Sequence, residues 1–301
     1  MTMRRTLRLG GRGSKLSRVQ AALAAEALSA IGFETAFVSI TTQGDRDRTS
    51  SLRTIGGQGI FVRAVEQALL DGEIDVAVHS AKDVPPTLAE GTSLPAYLPR
   101  GDVRDALISR HGVGLLELSP GAKVGTGSRR RAAQLLRLRP DLQIADIRGN
   151  VDTRVRGVET GSVDAVVVAA AGLQRLGAAP SELLPIDLMM PSPGQGALVI
   201  QCRSEDTDRL TAANHEPTAL AVSAERAMLR ALGAGCSLPL AALGGMRGGE
   251  VLLAGRLLSA DGTERIEIQR SGEDPESVGT EVAETLLERG GRKLMQEDKS
   301  S

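Results

Sequence analysis

The stretch GIFVRAVEQALLDGEIDVAVHSAKDVP, residues 59–85, places a helix pattern directly before a buried strand pattern and decides the fold class. In FVRAVEQALL the apolar residues recur at helical spacing, whereas IDVAVHS is a short and almost continuous apolar run. Upstream, TLRLGGRGS (residues 6–14) and TAFVSI (35–40) predict two further strands with a helix between them. This alternation predicts a doubly wound α/β domain, in which ligands bind at the carboxyl ends of the strands.

The helix between the first two strands has a recognisable start. Ser14 follows the glycine-rich turn and is placed to cap the helix, because a serine hydroxyl accepts a hydrogen bond from a backbone amide of the first turn. Leu16, Val19 and Leu23 recur at helical spacing, and we expect them on the buried face.

A second α/β pattern begins near residue 100. Its strands are predicted in DALISR (105–110), KVGTGS (123–128), LQIADIRG (142–149) and VDAVVVAAAG (163–172), and its helices in RRAAQLLRLR (130–139) and VDTRVRGVET (151–160). The stretch PSPGQGALVIQCR, residues 191–203, then predicts a crossing and a strand that returns the chain to the first sheet.

The pattern changes again at residue 217. A helix in TALAVSAERAMLRAL precedes a hairpin, in which VLLAGRLLS and RIEIQRS are joined by the turn ADGT, and an amphipathic helix follows. We therefore predict two doubly wound α/β domains, residues 1–99 with 195–216 and residues 100–194. A small α+β domain over residues 217–301 completes the chain.

Composition and charge exclude several classes of protein. The chain has 36 basic and 37 acidic residues, so no global field attracts nucleic acid or an anionic membrane. It lacks an apolar run long enough to cross a bilayer and an N-terminal secretory signal, and we expect a cytoplasmic protein. Two cysteines without CxxC spacing predict no zinc site, and three histidines without ligand spacing predict no other metal.

Arginines follow nearly every predicted strand of the two α/β domains. A guanidinium binds a carboxylate or a phosphate through two hydrogen bonds. A single arginine at a helix start is usually a solvated surface residue, but repeated placement there opposes the helix dipole and predicts bound anions. These arginines are Arg12, Arg129, Arg130, Arg131, Arg148, Arg154, Arg156 and Arg175.

The stretch VHSAKDVP, residues 78–85, ends a buried strand in a polar turn that presents Lys82 and Asp83. Asp83 has two interpretations of equal weight. It is either an ion-paired turn residue, or a carboxylate that stabilises a cation or shuttles a proton in a cleft.

The two cysteines differ in their surroundings. Cys202, in ALVIQCR, is expected to pack inside a strand, as free cysteines usually do. Cys236, in GAGCSLPL (233–240), lies between small residues whose backbone amides favour a reactive thiolate and allow a bulky group to approach. A permanent covalent attachment point explains this loop better than a thiol hydrolase, which would need a paired base.

With these motifs the sequence resembles the porphobilinogen deaminases, also called hydroxymethylbilane synthases. The resemblance covers nearly the whole chain, and VHSAKDVP, IRGNVDTR and the cysteine loop are its most specific motifs. It implies two domains similar to periplasmic binding proteins and a third domain that carries a dipyrromethane cofactor as a thioether on Cys236. It also implies a monomer that takes the small molecule porphobilinogen, with neither nucleic acid nor a membrane as partner.

The activity implied by the resemblance is a transferase reaction of tetrapyrrole biosynthesis. Porphobilinogen loses ammonia to give an azafulvene-like cation, and four such units are added head to tail before hydroxymethylbilane is released. Asp83 would be the catalytic residue. Cofactor-binding positions would be Ser80, Lys82, Thr126, Ser128, Arg130, Arg131 and Arg148, with Cys236 as the covalent site. Substrate-binding positions would be Arg12, Ser14, Arg154, Arg175 and Gln195.

The chain departs from the family pattern in two places. Thr54 and Gln58 stand where many members have lysine, and Arg53 or Arg63 would have to compensate. Arg129 precedes the usual arginine pair, so the sequence leaves open which two of the three consecutive arginines face the cleft. The alternative function is a two-lobed anion receptor or sensor without catalysis, which would leave Cys236 unexplained.

Overall fold

The computed structural model of the chain describes residues 6–40, 59–233 and 238–300. Its strands are β1 (Leu7–Arg12), β2 (Thr35–Ile40), β3 (Val76–Ser80), β4 (Thr92–Tyr97), β5 (Asp105–Ser109), β6 (Lys123–Gly125), β7 (Gln143–Ala145), β8 (Ala165–Ala169), β9 (Glu182–Leu184), β10 (Leu198–Arg203), β11 (Leu240–Arg247), β12 (Glu250–Leu258) and β13 (Arg265–Gly272). Its α-helices are α1 (Lys15–Ala30), α2 (Gly59–Leu70), α3 (Arg129–Leu138), α4 (Val151–Glu159), α5 (Ala170–Arg175), α6 (Thr207–Leu210), α7 (Glu216–Ala231), α8 (Pro275–Leu286) and α9 (Arg292–Ser300).

The chain divides into two compact units. The first unit comprises the residues up to Arg100 with Ala197–Ala219, and the second unit comprises Gly101–Gly196 with the residues from Leu220 onwards. Three separate sheets are present among the described residues, one in the first unit and two in the second. The division into three domains and its boundaries stay a prediction.

The sheet of the first unit has the order β2-β1-β3-β10-β4. Strand β1 is parallel to both β2 and β3, whereas β10 is antiparallel to β3 and β4. Leu9, Val76 and Ile200 are almost completely buried in its core, together with Leu28 of α1. The carboxyl ends of β1 and β3 therefore meet at one edge of the sheet.

Helix α1 packs on this sheet through small residues. Its buried positions are Ser17, Gln20, Ala21, Ala24 and Leu28, and Ser14 caps it by accepting a hydrogen bond from the Ser17 amide. The predicted cap is confirmed. The predicted face of Leu16, Val19 and Leu23 is wrong by one position, because small side chains lie against the sheet and Leu23 is 37% exposed.

The first sheet of the second unit has the order β7-β6-β8-β5-β9, with β6 parallel to β7 and β8 and with β5 antiparallel to β8. Its core contains Leu107, Val124, Leu135 and Val167. The predicted strand over 163–172 is too long, because the chain turns into α5 at Ala170. Helix α3 begins at the carboxyl end of β6, where Ser128 accepts a hydrogen bond from the Arg131 amide.

The last sheet is an antiparallel meander of β11, β12 and β13, packed against α7 and α8. The predicted hairpin is confirmed, with its turn at residues 259–264. Gly262 has a φ of 76°, and a Cβ at this position would overlap the Ala133 carbonyl oxygen of α3. The turn thus packs directly on α3, and Arg137 donates hydrogen bonds to the carbonyls of Gly262 and Thr263.

The fold class is confirmed as α/β, with two doubly wound sheets and a small α+β part. Each doubly wound sheet includes antiparallel strands, so the sheets are mixed. Among the described residues, none of the helices combines the length and the hydropathy needed to span a bilayer.

Candidate active site

Polar residues of the first unit gather at the carboxyl ends of β1 and β3. Arg12 is the last residue of β1, and Ser80 is the last residue of the neighbouring strand β3. The Gln20 side chain donates a 2.9 Å hydrogen bond from Nε2 to Ser80 Oγ, so α1 fixes the serine hydroxyl. Ser14 lies in the same turn as Arg12, with its hydroxyl engaged in the helix cap.

Lys82 and Asp83 follow in a single 3-10 turn, Ala81–Asp83. The turn is anchored by buried Ala81, whose amide donates to the Ala197 carbonyl, and the Val84 amide closes it on the Ala81 carbonyl. Lys82 and Asp83 are both half-buried. The backbone therefore holds one cation and one carboxylate, both partly exposed, at the edge of the sheet.

A buried polar network supports this turn from inside the sheet. His79 Nε2 lies 2.9 Å from Gln201 Oε1, and the Gln201 amide nitrogen donates to Glu66 and Thr92. Burial lowers the pKa of His79 to about 4, against a smaller opposite effect of the Gln201 hydrogen bond. His79 is therefore neutral at physiological pH and serves as a structural residue of β3.

The second unit gathers polar residues at the carboxyl ends of β6, β7 and β8. Thr126 is 3% exposed, and its Oγ1 accepts a 3.1 Å hydrogen bond from the Ser128 amide. Ser128 caps α3, so that Arg129, Arg130 and Arg131 occupy the first turn of this helix. These two hydroxyls thereby fix the start of α3, and with it the position of the three arginines near the carboxyl end of β6.

Arg130 and Arg131 converge on Asp105, which is completely buried. Arg130 Nη1 lies 2.8 Å from Asp105 Oδ2, and Arg131 approaches Oδ1 through Nη2 at 2.8 Å and Nε at 3.1 Å. Gln195 adds a 2.9 Å hydrogen bond from Nε2 to Oδ1. Burial acts to raise the pKa of Asp105, but the charges and hydrogen bonds of the two arginines outweigh it and hold the pKa far below its usual range.

The remaining arginines of the second unit are less enclosed. Arg148 is exposed beyond β7 and pairs with Asp146 at 3.0 Å, while Arg154 Nε donates to the Gly149 carbonyl from the first turns of α4. Arg175 ends α5, one short helix beyond β8, and donates to the Gly196 carbonyl. The sequence predicts Arg175 directly after a strand, but α5 separates it from β8. Burial lowers the pKa of Arg175.

The charges in the second unit fit a ligand that carries carboxylates. Two guanidinium groups share the single carboxylate of Asp105, which leaves an excess of positive charge. Burial lowers the pKa of Arg130, and the cations Arg131 and Arg256 add to this effect although Asp105 opposes it. Arg130 Nε is buried without a hydrogen-bond acceptor among the described residues. An anionic group beside Arg130 would balance the excess positive charge and would accept a hydrogen bond from Arg130 Nε.

The amino-acid sequence matches two family models along most of its length. Residues 7–211 match the model described as "Porphobilinogen deaminase, dipyromethane cofactor binding domain", and residues 219–288 match "Porphobilinogen deaminase, C-terminal domain". The chain belongs to the porphobilinogen deaminase family. The family predicted from the sequence is thus confirmed. The dipyrromethane cofactor and the predicted enzyme class, a transferase of tetrapyrrole biosynthesis, are confirmed with it.

Curated relatives agree over almost the full length. A porphobilinogen deaminase of Pelobacter propionicus is 45% identical, with 97% of each chain covered, and one of Roseiflexus sp. is 44% identical, with 97% of this chain and 99% of the relative covered. Among solved structures, the methionine-binding protein MetQ matches with a TM-score of 0.42 and 13% identity, over 69% of this chain and 89% of that protein.

The structure brings the predicted site residues together in two groups, one on each unit. Arg12, Ser14, Ser80, Lys82 and Asp83 share the sheet edge of the first unit. Thr126, Ser128, Arg130, Arg131, Arg148 and Arg154 lie at the corresponding edge of the second unit, with Arg175 and Gln195 farther along the chain. Cys236, Thr54 and Gln58 lie outside the described residues. Cys202 is completely buried, which confirms its predicted packing, and burial raises the pKa of its thiol.

Sequence reasoning missed Asp105, Gln134 and Arg256. Arg256 of β12 is 2% exposed and donates to Gln134 Oε1 at 2.7 Å, and Gln134 in turn donates to the Met190 carbonyl that also accepts from Arg130. The C-terminal sheet is thereby joined to the arginine-bearing helix α3. An arginine inside an apolar strand was the available signal for Arg256.

Proposed function

We propose that this chain deaminates porphobilinogen and joins four molecules head to tail on a dipyrromethane held at Cys236, and then releases hydroxymethylbilane. The observation that carries the proposal is the buried excess of positive charge around Arg130 and Arg131, within a chain of this family. Each pyrrole ring of the growing chain brings carboxylates, which guanidinium groups bind through charge-assisted hydrogen bonds.

The proposed catalytic residue is Asp83. Loss of ammonia from the substrate develops positive charge, and a preorganised carboxylate stabilises such charge more strongly in a partly enclosed site than in water. Asp83 is half-buried in a turn whose backbone is fixed by Ala81, so its carboxylate meets the charge without a large rearrangement. Lys82, on the same turn, would bind a carboxylate of the cofactor.

The dipyrromethane would supply the free α-carbon of its outer pyrrole as the nucleophile for the first unit, and the terminal ring of the growing chain would supply it for each later unit. Water would then break the bond between the finished chain and the cofactor. In the second unit, Arg130 and Arg131 with the hydroxyls of Thr126 and Ser128 would hold its carboxylates. Arg148 would contribute from the exposed end of β7. Arg12, Ser14, Arg154, Arg175 and Gln195 are proposed for the substrate and the elongating chain.

Cys236 is proposed as the covalent attachment point. The thiol would form a thioether, so the cofactor stays bound through repeated additions. We further propose that the protein is a monomer in the cytoplasm and that porphobilinogen is its small-molecule substrate. Neither nucleic acid nor a membrane is proposed as a partner.

The test is the intact mass of the purified protein under denaturing conditions. We expect an excess equal to two condensed pyrrole units, which peptide mapping assigns to the peptide that contains Cys236. The variant Cys236→Ser should have the mass of its sequence, whereas Cys202→Ala, which changes the other cysteine, should keep the adduct. An unmodified parent protein, still unmodified after incubation with porphobilinogen, would support the anion receptor, an alternative that the relatives do not favour.

A further inference from the structure

The buried carboxylate of Asp105 has an unusual position for a residue at the beginning of a strand. Strand β5 is antiparallel to β8, and Asp105 is paired in register with Ala169, the last residue of β8. The amino end of β5 therefore lies at the same edge as the carboxyl ends of β6 and β8. This topology places Asp105 beneath the first turn of α3, where the proposed cofactor-binding arginines begin.

Asp105 is the common partner of groups from two separate segments. Arg130 and Arg131 reach it from α3, and Gln195 reaches it from the loop before β10. Each arginine has one more fixed contact, because Arg130 donates to the Met190 carbonyl at 2.6 Å and Arg131 to the Val167 carbonyl at 3.0 Å. The direction of both guanidinium groups is thus set by Asp105 together with two backbone carbonyls.

This network is a poor device for stability alone. Buried ion pairs lose much of their Coulomb energy to desolvation, and here two cations share one anion. Both cations also lie in the first turn of a helix, where the dipole disfavours positive charge. The arrangement becomes favourable when a further anion arrives, and Asp105 then keeps the two arginines in place while leaving part of their charge for that anion.

We propose that Asp105 is a positioning residue for the cofactor, acting through Arg130 and Arg131. The inference rests on the proposed function, in which those arginines hold cofactor carboxylates. Loss of the Asp105 charge should reduce the fraction of protein that carries the cofactor and weaken binding of the substrate carboxylates, with a smaller effect on the chemical step.

The test compares Asp105→Asn with a matched control, Asp75→Asn. Asp75 is also buried and also pairs with two arginines, Arg8 at 2.9 Å and Arg203 at 3.7 Å, but it precedes β3 at the end of the strand opposite to Asp83. Both variants lose a buried carboxylate, so both should unfold at a lower temperature than the parent. A merely structural role predicts the same behaviour for the two variants in every other measurement.

The decisive readouts are the loaded fraction from intact mass and the separate values of KM and kcat for porphobilinogen. For Asp105→Asn we expect a loaded fraction and an affinity lower by about tenfold, the factor for one lost charge-assisted hydrogen bond. Asp75→Asn should remain loaded like the parent, with the same KM. Equal loading and equal KM in parent and Asp105→Asn would overturn the proposal.

Two further results separate the possible failures. If Asp105→Asn does not fold, Asp105→Glu keeps the charge but displaces both guanidinium groups, and it should load poorly with a raised KM; parent-like loading and KM in that variant would overturn the proposal. A parent protein without any pyrrole adduct would overturn the proposed function itself. A loaded parent with an equally loaded Asp105→Asn would overturn only the role of Asp105.

Discussion

Acidification should destabilise the first unit through His79. This side chain is 8% exposed in β3, and burial lowers its pKa to about 4. In the unfolded chain an ordinary histidine has a pKa near 6.5. Between these two values the unfolded state binds more protons than the folded state, so the free energy of unfolding falls as the pH falls from about 6.5 towards 4.

The size of the effect follows from the two pKa values. Complete protonation would cost about 3 kcal/mol of folding free energy, and about 2 kcal/mol of this is lost between pH 7 and pH 5. His79→Gln removes the titrating group. The variant should therefore lose about 2 kcal/mol less than the parent between the two pH values, whatever its stability at pH 7.

The chain contains a suitable reporter for this measurement. Tyr97 is the single tyrosine, tryptophan is absent, and Val199 of β10 is paired in register with both Tyr97 and His79. Urea unfolding followed by tyrosine fluorescence thus reports on the sheet that holds His79. The control is His111→Gln, a change at an exposed turn. If parent and His79→Gln lost stability equally between pH 7 and pH 5, the assignment of a buried neutral histidine would be refuted.

Two further changes test the proposed chemistry and the packing of the C-terminal hairpin. Asp83→Ala should keep the covalent adduct by intact mass but lower kcat by about a hundredfold or more, because it removes charge stabilisation in the transition state; undiminished turnover would exclude Asp83 from the mechanism. Gly262→Ala should lower the free energy of unfolding by about 2–3 kcal/mol, because its Cβ would overlap the Ala133 carbonyl; Gly248→Ala, with a similar φ of 61° and no atom within 4 Å of the new Cβ, should cost only about 1 kcal/mol in denaturant titrations.

Strands with continuous apolar runs could be predicted from the sequence, whereas β4 and β9, which lack such runs, could not. Strands β3, β8 and β12 are largely buried and rich in valine, leucine and alanine, so a short stretch of sequence is enough to identify each of them. Strand β4 contains Pro95, which normally argues against a strand, but β4 lies at the edge of its sheet and, among the described strands, pairs with β10 alone. Strand β9 has three residues, too few for a periodic pattern.

The positions of candidate site residues could be predicted where these residues follow the end of a strand. Ser14, Ser128 and Asp83 follow predicted strands directly, and the structure places them at the expected edges. Asp105 could not be predicted, because it lies at the carboxyl ends of β6 and β8 only through the antiparallel pairing of β5 with β8, and no local sequence pattern encodes that pairing. For the same reason the sequence could not tell that Arg130 and Arg131 are buried against a carboxylate.

The two carboxylates at these edges have opposite surroundings, and these surroundings suit opposite tasks. Asp105 is inaccessible, and its oxygens accept hydrogen bonds from two arginines and a glutamine, so it has little capacity to stabilise new positive charge on a ligand. Asp83 is half-buried, so part of its side chain is exposed, and it lies in a turn fixed by backbone hydrogen bonds. In the proposed function the two roles fall to different carboxylates, because one carboxylate cannot position arginines and receive a developing positive charge at once.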